Sequence, residues 1–92
     1  MSEQRRTVTI VNQRGLHARA SAKFVGAVAQ LPEGCEVKVV KDGVAAAGGS
    51  ILGLMMLGAA KGDVIEVVVT GTDAESTADT LEAMVADGFG EE

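Results

Sequence analysis

The chain has no tryptophan, no tyrosine and only two phenylalanines. Its core must therefore be built from Ala, Val, Ile, Leu and Met. Cys35 is the single cysteine, which excludes an intramolecular disulfide and is compatible with a reducing compartment. His17 is the single histidine, and one His with one Cys cannot supply the usual four ligands of a structural metal site. No metal and no cofactor are expected. Cations are outnumbered: the net charge is -5 at pH 7, which argues against nonspecific binding to nucleic acid or anionic membrane. No apolar run approaches the ~20 residues of a transmembrane helix. The opening "MSEQRRTVTI" lacks the apolar segment of a signal peptide. A cytoplasmic protein without membrane insertion is the expectation. One proline against twelve glycines points to turns and close backbone approaches rather than stiff linkers.

At 92 residues the chain has the size of one domain with a modest core. "TVTIVN", residues 7–12, alternates and is β-branched, so it predicts a strand. From Ala18 to Leu31, Ala20, Phe24, Ala27, Val28 and Leu31 fall at helical spacing. Arg19, Lys23, Gly26 and Gln30 occupy the opposite, solvent-facing side, and Pro32 and Gly34 end the helix. "CEVKVV", residues 35–40, predicts a second strand. Asp42-Gly43 signals a hairpin turn and "VAAA" a returning strand. Ser50 predicts the N-cap of a short helix ending near Gly58. "DVIEVVVTG", residues 63–71, is a further strand. Thr72 with Glu75 resembles a capping box before a last helix that buries Ala74, Ala78, Leu81 and Val85. Residues 88–92, "GFGEE", are expected to fray. The order β-α-β-β-α-β-α predicts a two-layer α+β domain, with helices on one side of a mainly antiparallel sheet.

Two places carry possible chemistry. His17 precedes a helix, where the unpaired backbone N–H groups of residues such as Ala18 and Arg19, together with the helix dipole, favour an anion, phosphate above all. The same dipole disfavours imidazolium and keeps a nitrogen lone pair free. Arg19 adds a guanidinium that can meet phosphate oxygens, and Arg14 and Lys23 extend the local basic patch. Imidazole suits a temporary carrier, being a good nucleophile and, once phosphorylated, a good leaving group. The same spacing also fits a plain polar residue at a cap.

The second place is "SILGLMMLG". Leu54 and Leu57 are expected to face the core. Ile51, Leu52 and Met55 are then left partly exposed as a small apolar patch. A core helix capped by Ser50 is the simpler reading of the same letters. Phosphate on an N-cap serine is compatible with the helix start; its charge would fall beside the patch and oppose an acidic partner. Cys35 reads as a buried small apolar residue. Gly48-Gly49 lack the lysine and spacing of a phosphate-binding loop. Asp73 and Glu75 fit helix capping, and Glu91 and Glu92 a solvated tail.

"GLHARASAKFV", "SILGLMMLGAAKGDVIEV" and "GFGEE", in this order and over nearly the whole chain, resemble the HPr family, the histidine-containing phosphocarriers of the phosphoenolpyruvate-dependent phosphotransferase system. The resemblance implies an open-faced β-sandwich with a four-stranded antiparallel sheet and three helices on one face. It implies that His17 accepts a phosphoryl group on Nδ1 from enzyme I and passes it to an EIIA-type acceptor, in sugar uptake or in nitrogen-related regulation. Arg19 matches the family's active-site arginine, and Ser50 the regulatory serine modified by HPr kinase/phosphorylase. Ile51, Leu52 and Met55, with Lys23, match the partner-docking surface. Many members have proline where this chain has Ala20, which adds one N–H donor to the first turn and frees its φ. Alanine there resembles α-proteobacterial members. Gly26 and Ala29 offer partners little polar contact beyond Lys23, and Gly49 offers none beside Ser50. The alternative is a regulatory binding protein switched at Ser50 without phosphoryl relay. An enzyme acting alone is disfavoured, because no acid–base pair, metal set or deep-pocket signature accompanies His17.

Overall fold

The computed structural model describes residues 3–91. Its elements run β1 (Glu3–Thr9), α1 (Ala18–Ala29), β2 (Cys35–Lys41), β3 (Val44–Ala47), α2 (Ile51–Met56), β4 (Val64–Gly71) and α3 (Ala74–Ala86), closed by a single tight turn at Gly88–Gly90. The four strands form one sheet in the order β1-β4-β2-β3, every neighbouring pair antiparallel. The expected open-faced sandwich is what forms: three helices cover one face of the sheet.

Alternation along the strands decides what they cover. Val8 and Ile10, Ile65, Val67 and Val69, Val39 and Ala46 all point under the helices. There they meet Leu16 of the turn before α1, Ala20 and Phe24 of α1, Leu54 and Leu57, and Ala74, Ala78, Leu81 and Val85 of α3. Val68 points the other way yet is buried. Its register partners are Arg5 and Lys38, whose long aliphatic stems suit covering an apolar neighbour. The β2–β3 hairpin turns on Asp42 and Gly43, both at positive φ, as a two-residue turn matched to strand twist demands.

Some boundaries differ from the sequence expectation. The first strand spans 3–9 rather than 7–12. Its polar start is stable because Arg6 points toward α3, donating to Asp79 at 2.6 Å and Glu82 at 3.0 Å. Helix α1 stops at Ala29. Gln30 and Leu31 donate three residues back, to Ala27 and Val28, which tightens the last turn before Pro32. The Thr72–Glu75 capping box does not form. Asp73 is the N-cap of α3, in the left-handed region, with no side-chain cap hydrogen bond. The turn out of β4 consumes Thr72, whose N–H goes to Gly34 O. The frayed tail is also corrected for residues 88–91: Phe89 is 3% exposed and belongs to the core. Glu92 lies outside the described residues. Cys35 is half-buried against the core, with Sγ 3.8 Å from Thr77 Oγ1.

Candidate functional site

The segment between β1 and α1 is built to place one side chain. Ile10 N donates to Asp63 O, Leu16 N donates to Ala59 O at 3.0 Å, and Gly15 N donates to Asn12 O. Gly15 has φ +62, and a Cβ there would overlap the Ala59 carbonyl oxygen. Only glycine therefore allows the chain to pass this close to the loop before β4. The turn delivers His17 to the N-cap of α1 in an extended conformation. Its carbonyl accepts the Ser21 N–H at 2.9 Å, the first helical bond.

The two ring nitrogens have different partners. Nδ1 accepts the backbone N–H of Arg19 at 3.3 Å. Nε2 lies 2.8 Å from Glu91 Oε2. The helix begins at Ala18 with Ala20 in its first turn, so the alanine in place of proline leaves the helix start intact. By helix geometry the N–H groups of Ala18, Arg19 and Ala20 have no intrahelical acceptor and cluster at this end.

Around the ring is an open hollow of about 410 Å³, lined by Gln13, Arg14, His17, Arg19, Lys23, Gly90 and Glu91. Arg14 and Arg19 give it positive charge although the chain as a whole is acidic. Lys23 Nζ donates to Phe89 O at 2.6 Å. Among the described residues, Glu91 is the one carboxylate in the lining. Burial alone pushes its carboxyl up. Hydrogen bonds from His17 and Asn12 and the nearby charge of Lys23 outweigh that and hold it below the usual carboxylate range.

The structure thus brings together His17, Ala18, Arg19 and Lys23, but Ser50 lies elsewhere. Ser50 caps α2, its Oγ accepting the Gly53 N–H at 2.9 Å. It lines a separate, mostly apolar groove between α2 and β3. Leu54 and Leu57 are buried as expected, and Ile51, Leu52 and Met55 are exposed. Met56 is more exposed still, at 78%. It lies four residues from Leu52 and so extends the same stripe. Sequence reasoning missed Asn12 and Glu91. Phe89 was the signal available for the tail, because one of only two aromatics is a poor fit to a solvated end. No group of metal-ligating side chains occurs among the described residues. No helix among them is long and apolar enough to cross a membrane.

A small open-faced sandwich whose first helix is capped by its single histidine, beside cationic side chains, has the architecture of a histidine phosphocarrier. The comparisons agree. The family described as "PTS HPr component phosphorylation site" matches residues 4–87. The phosphocarrier protein HPr of Neisseria meningitidis serogroup A is 42% identical over 95% of this chain and 96% of its own length. The phosphocarrier protein NPr of Shewanella violacea is 36% identical over 99% of this chain and 98% of its own. The crystal structure of HPr-C-His from Thermoanaerobacter tengcongensis superposes with a TM-score of 0.87 at 35% identity, covering 100% of this chain and 99% of that one. The chain belongs to the HPr family of phosphocarrier proteins of the phosphotransferase system.

Proposed function

We propose that this chain accepts a phosphoryl group on Nδ1 of His17 from phosphorylated enzyme I and hands it to an EIIA-type acceptor protein. One observation carries the reading. His17 caps α1 with Nε2 against a carboxylate and Nδ1 facing the helix start. A carboxylate only accepts, so Nε2 holds the proton and Nδ1 the lone pair. A phosphoryl group on Nδ1 meets the backbone N–H groups of Ala18 and Arg19, the positive end of the helix dipole, and the guanidinium of Arg19. As phosphorus bonds to Nδ1, its bond to the donor breaks and those electrons leave with the donor. The hollow is open rather than enclosed, which suits a group approached by one protein and removed by another. The relatives are named both HPr and NPr, so sugar uptake and nitrogen-related regulation are both branches in which the carrier would serve.

Ser50 is proposed as a regulatory phosphorylation site for an HPr kinase/phosphorylase. A phosphate there sits at the start of α2, beside Ile51, Leu52 and Met55, the proposed docking patch. Its charge opposes an acidic partner while leaving the helix capped. A regulatory protein that binds partners through this patch alone, without relay, is the second reading, resting on the exposed apolar stripe.

The experiment is direct. The protein is mixed with enzyme I and labelled phosphoenolpyruvate. Label that is acid-labile and base-stable, and absent from His17→Ala, is the expected result. Labelling that persists in His17→Ala overturns the carrier reading. Unlabelled wild type that still binds a partner in a Ser50-dependent way selects the second.

A further inference from the structure

His17 and Glu91 are close to opposite ends of the chain, yet their side chains meet at 2.8 Å. Glu91 is gripped at both oxygens. Oε2 takes the ring Nε2–H, and Oε1 accepts from Asn12 Nδ2 at 3.2 Å. Asn12 is only 4% exposed, and the same Nδ2 donates to Gly15 O at 2.8 Å. Turning the amide over would set its oxygen against two acceptors, so its orientation is fixed by its surroundings. Two further contacts hold the tail that carries Glu91. Lys23 Nζ donates to Phe89 O, and the Phe89 ring is buried in the core. The result is a hydrogen-bonded line from the Gly15 carbonyl through Asn12 and Glu91 into the imidazole.

We infer that Glu91, buttressed by Asn12, is a positioning residue for phosphoryl acceptance at His17. It fixes the ring orientation and the tautomer that present the Nδ1 lone pair. The inference rests on the reading of His17 as the phosphoryl acceptor. When Nδ1 uses its lone pair to bond phosphorus, Nε2 keeps its proton, and the ring takes on a formal positive charge. That charge develops at 2.8 Å from the Glu91 carboxylate, which is already in place and needs no reorganisation. When the phosphoryl group departs, the electron pair returns to Nδ1 and the ring is neutral again in the same tautomer. An imidazole oriented by a buttressed carboxylate is the arrangement that makes histidine an effective base in hydrolytic triads. Here the same device would prepare a nucleophile.

The test pairs a ring spectrum with kinetics, using the full chain with ¹⁵N-labelled histidine. Wild type is expected to show a solvent-protected proton on Nε2 and none on Nδ1. Glu91→Ala is expected to lose that protection. Its phosphorylation by phosphorylated enzyme I should slow about 10- to 100-fold, the range of a charge-assisted hydrogen bond, in kcat rather than KM. Glu91→Gln keeps an acceptor for Nε2–H but removes the charge, so its spectrum should stay near wild type and its rate fall between the two. Asn12→Ala should move both readouts in the direction of Glu91→Ala. A wild-type rate in Glu91→Ala overturns the inference, whatever the ring spectrum does. A wild type that takes no phosphoryl group defeats the carrier reading instead, and the ring spectrum then still decides whether Glu91 positions the imidazole.

Discussion

The carbonyl oxygen of Ala59 occupies the space that a side chain on Gly15 would need, and the same oxygen accepts the N–H of Leu16. The loop before β4 and the turn before His17 are therefore locked together, with glycine at the joint. Gly15→Ala adds both a left-handed alanine and this overlap. The expected cost is at least about 2 kcal/mol, seen as a drop of roughly 10 °C in Tm, together with slower phosphorylation because His17 is displaced.

Phe89 tests whether the tail belongs to the fold. Phe89→Ala should cost about 3 kcal/mol, the lower end for a buried Phe removed from a core. It should also expose the Nε2 proton of His17 to solvent exchange, since Glu91 loses its anchor. Calorimetry and the ring spectrum read the two effects separately.

Ser50 separates capping from signalling. Ser50→Ala removes the Oγ that satisfies Gly53 N–H and should cost about 1 kcal/mol. Ser50→Asp keeps a capping oxygen, so its Tm should stay closer to wild type. Its affinity for an acidic partner, measured by calorimetric titration, should nevertheless fall.

The apolar stripe on α2 predicts a different pattern. Leu52 and Met56 are 68% and 78% exposed, so Leu52→Glu and Met56→Glu should change stability by less than about 0.5 kcal/mol. Both should raise the KM for enzyme I while leaving kcat near wild type. Steady-state phosphorylation assays distinguish this from the kcat effect expected at Glu91.

Glu91 also sets a pH dependence. Its folded pKa is lowered, with His17, Asn12 and Lys23 as the groups responsible. A carboxyl of that kind contributes stability above its unfolded pKa and loses it as pH falls through the folded value. The tail should therefore stay docked at neutral pH and release in acid, below the usual carboxylate range. The Phe89 ring resonances followed against pH should report the release, and Glu91→Gln should flatten that response.

Much of this was legible from local patterns. Period-two alternation around Val67, the i to i+4 spacing of Ala20 and Phe24, and the Asp42-Gly43 turn each declare their element within a few residues. The Ser50 cap and the exposure of Leu52 were likewise readable, because a six-residue helix cannot bury every side. What escaped depends on partners distant in sequence. Glu3 to Arg6 look too polar for a strand until Asp79 and Glu82 on α3 meet Arg6. Thr72 and Glu75 have capping spacing, but the turn leaving β4 puts Asp73 at the cap instead. Glu91 reads as a solvated charge because nothing near it in sequence hints at His17.

The sheet order has a kinetic consequence. Strand β4 lies between β1 and β2, so β1 has no strand to pair with until β4 is in place. The β2–β3 hairpin can form early from neighbouring residues, whereas Glu3 must wait for Thr70. Contacts between residues so far apart in sequence slow folding. Until β4 has formed, the β-branched "TVTIV" segment stays unpaired, with its hydrogen-bonding edge open to other chains. Arg5, Thr7 and Thr9, which alternate onto one face of β1, keep that side of the waiting strand polar.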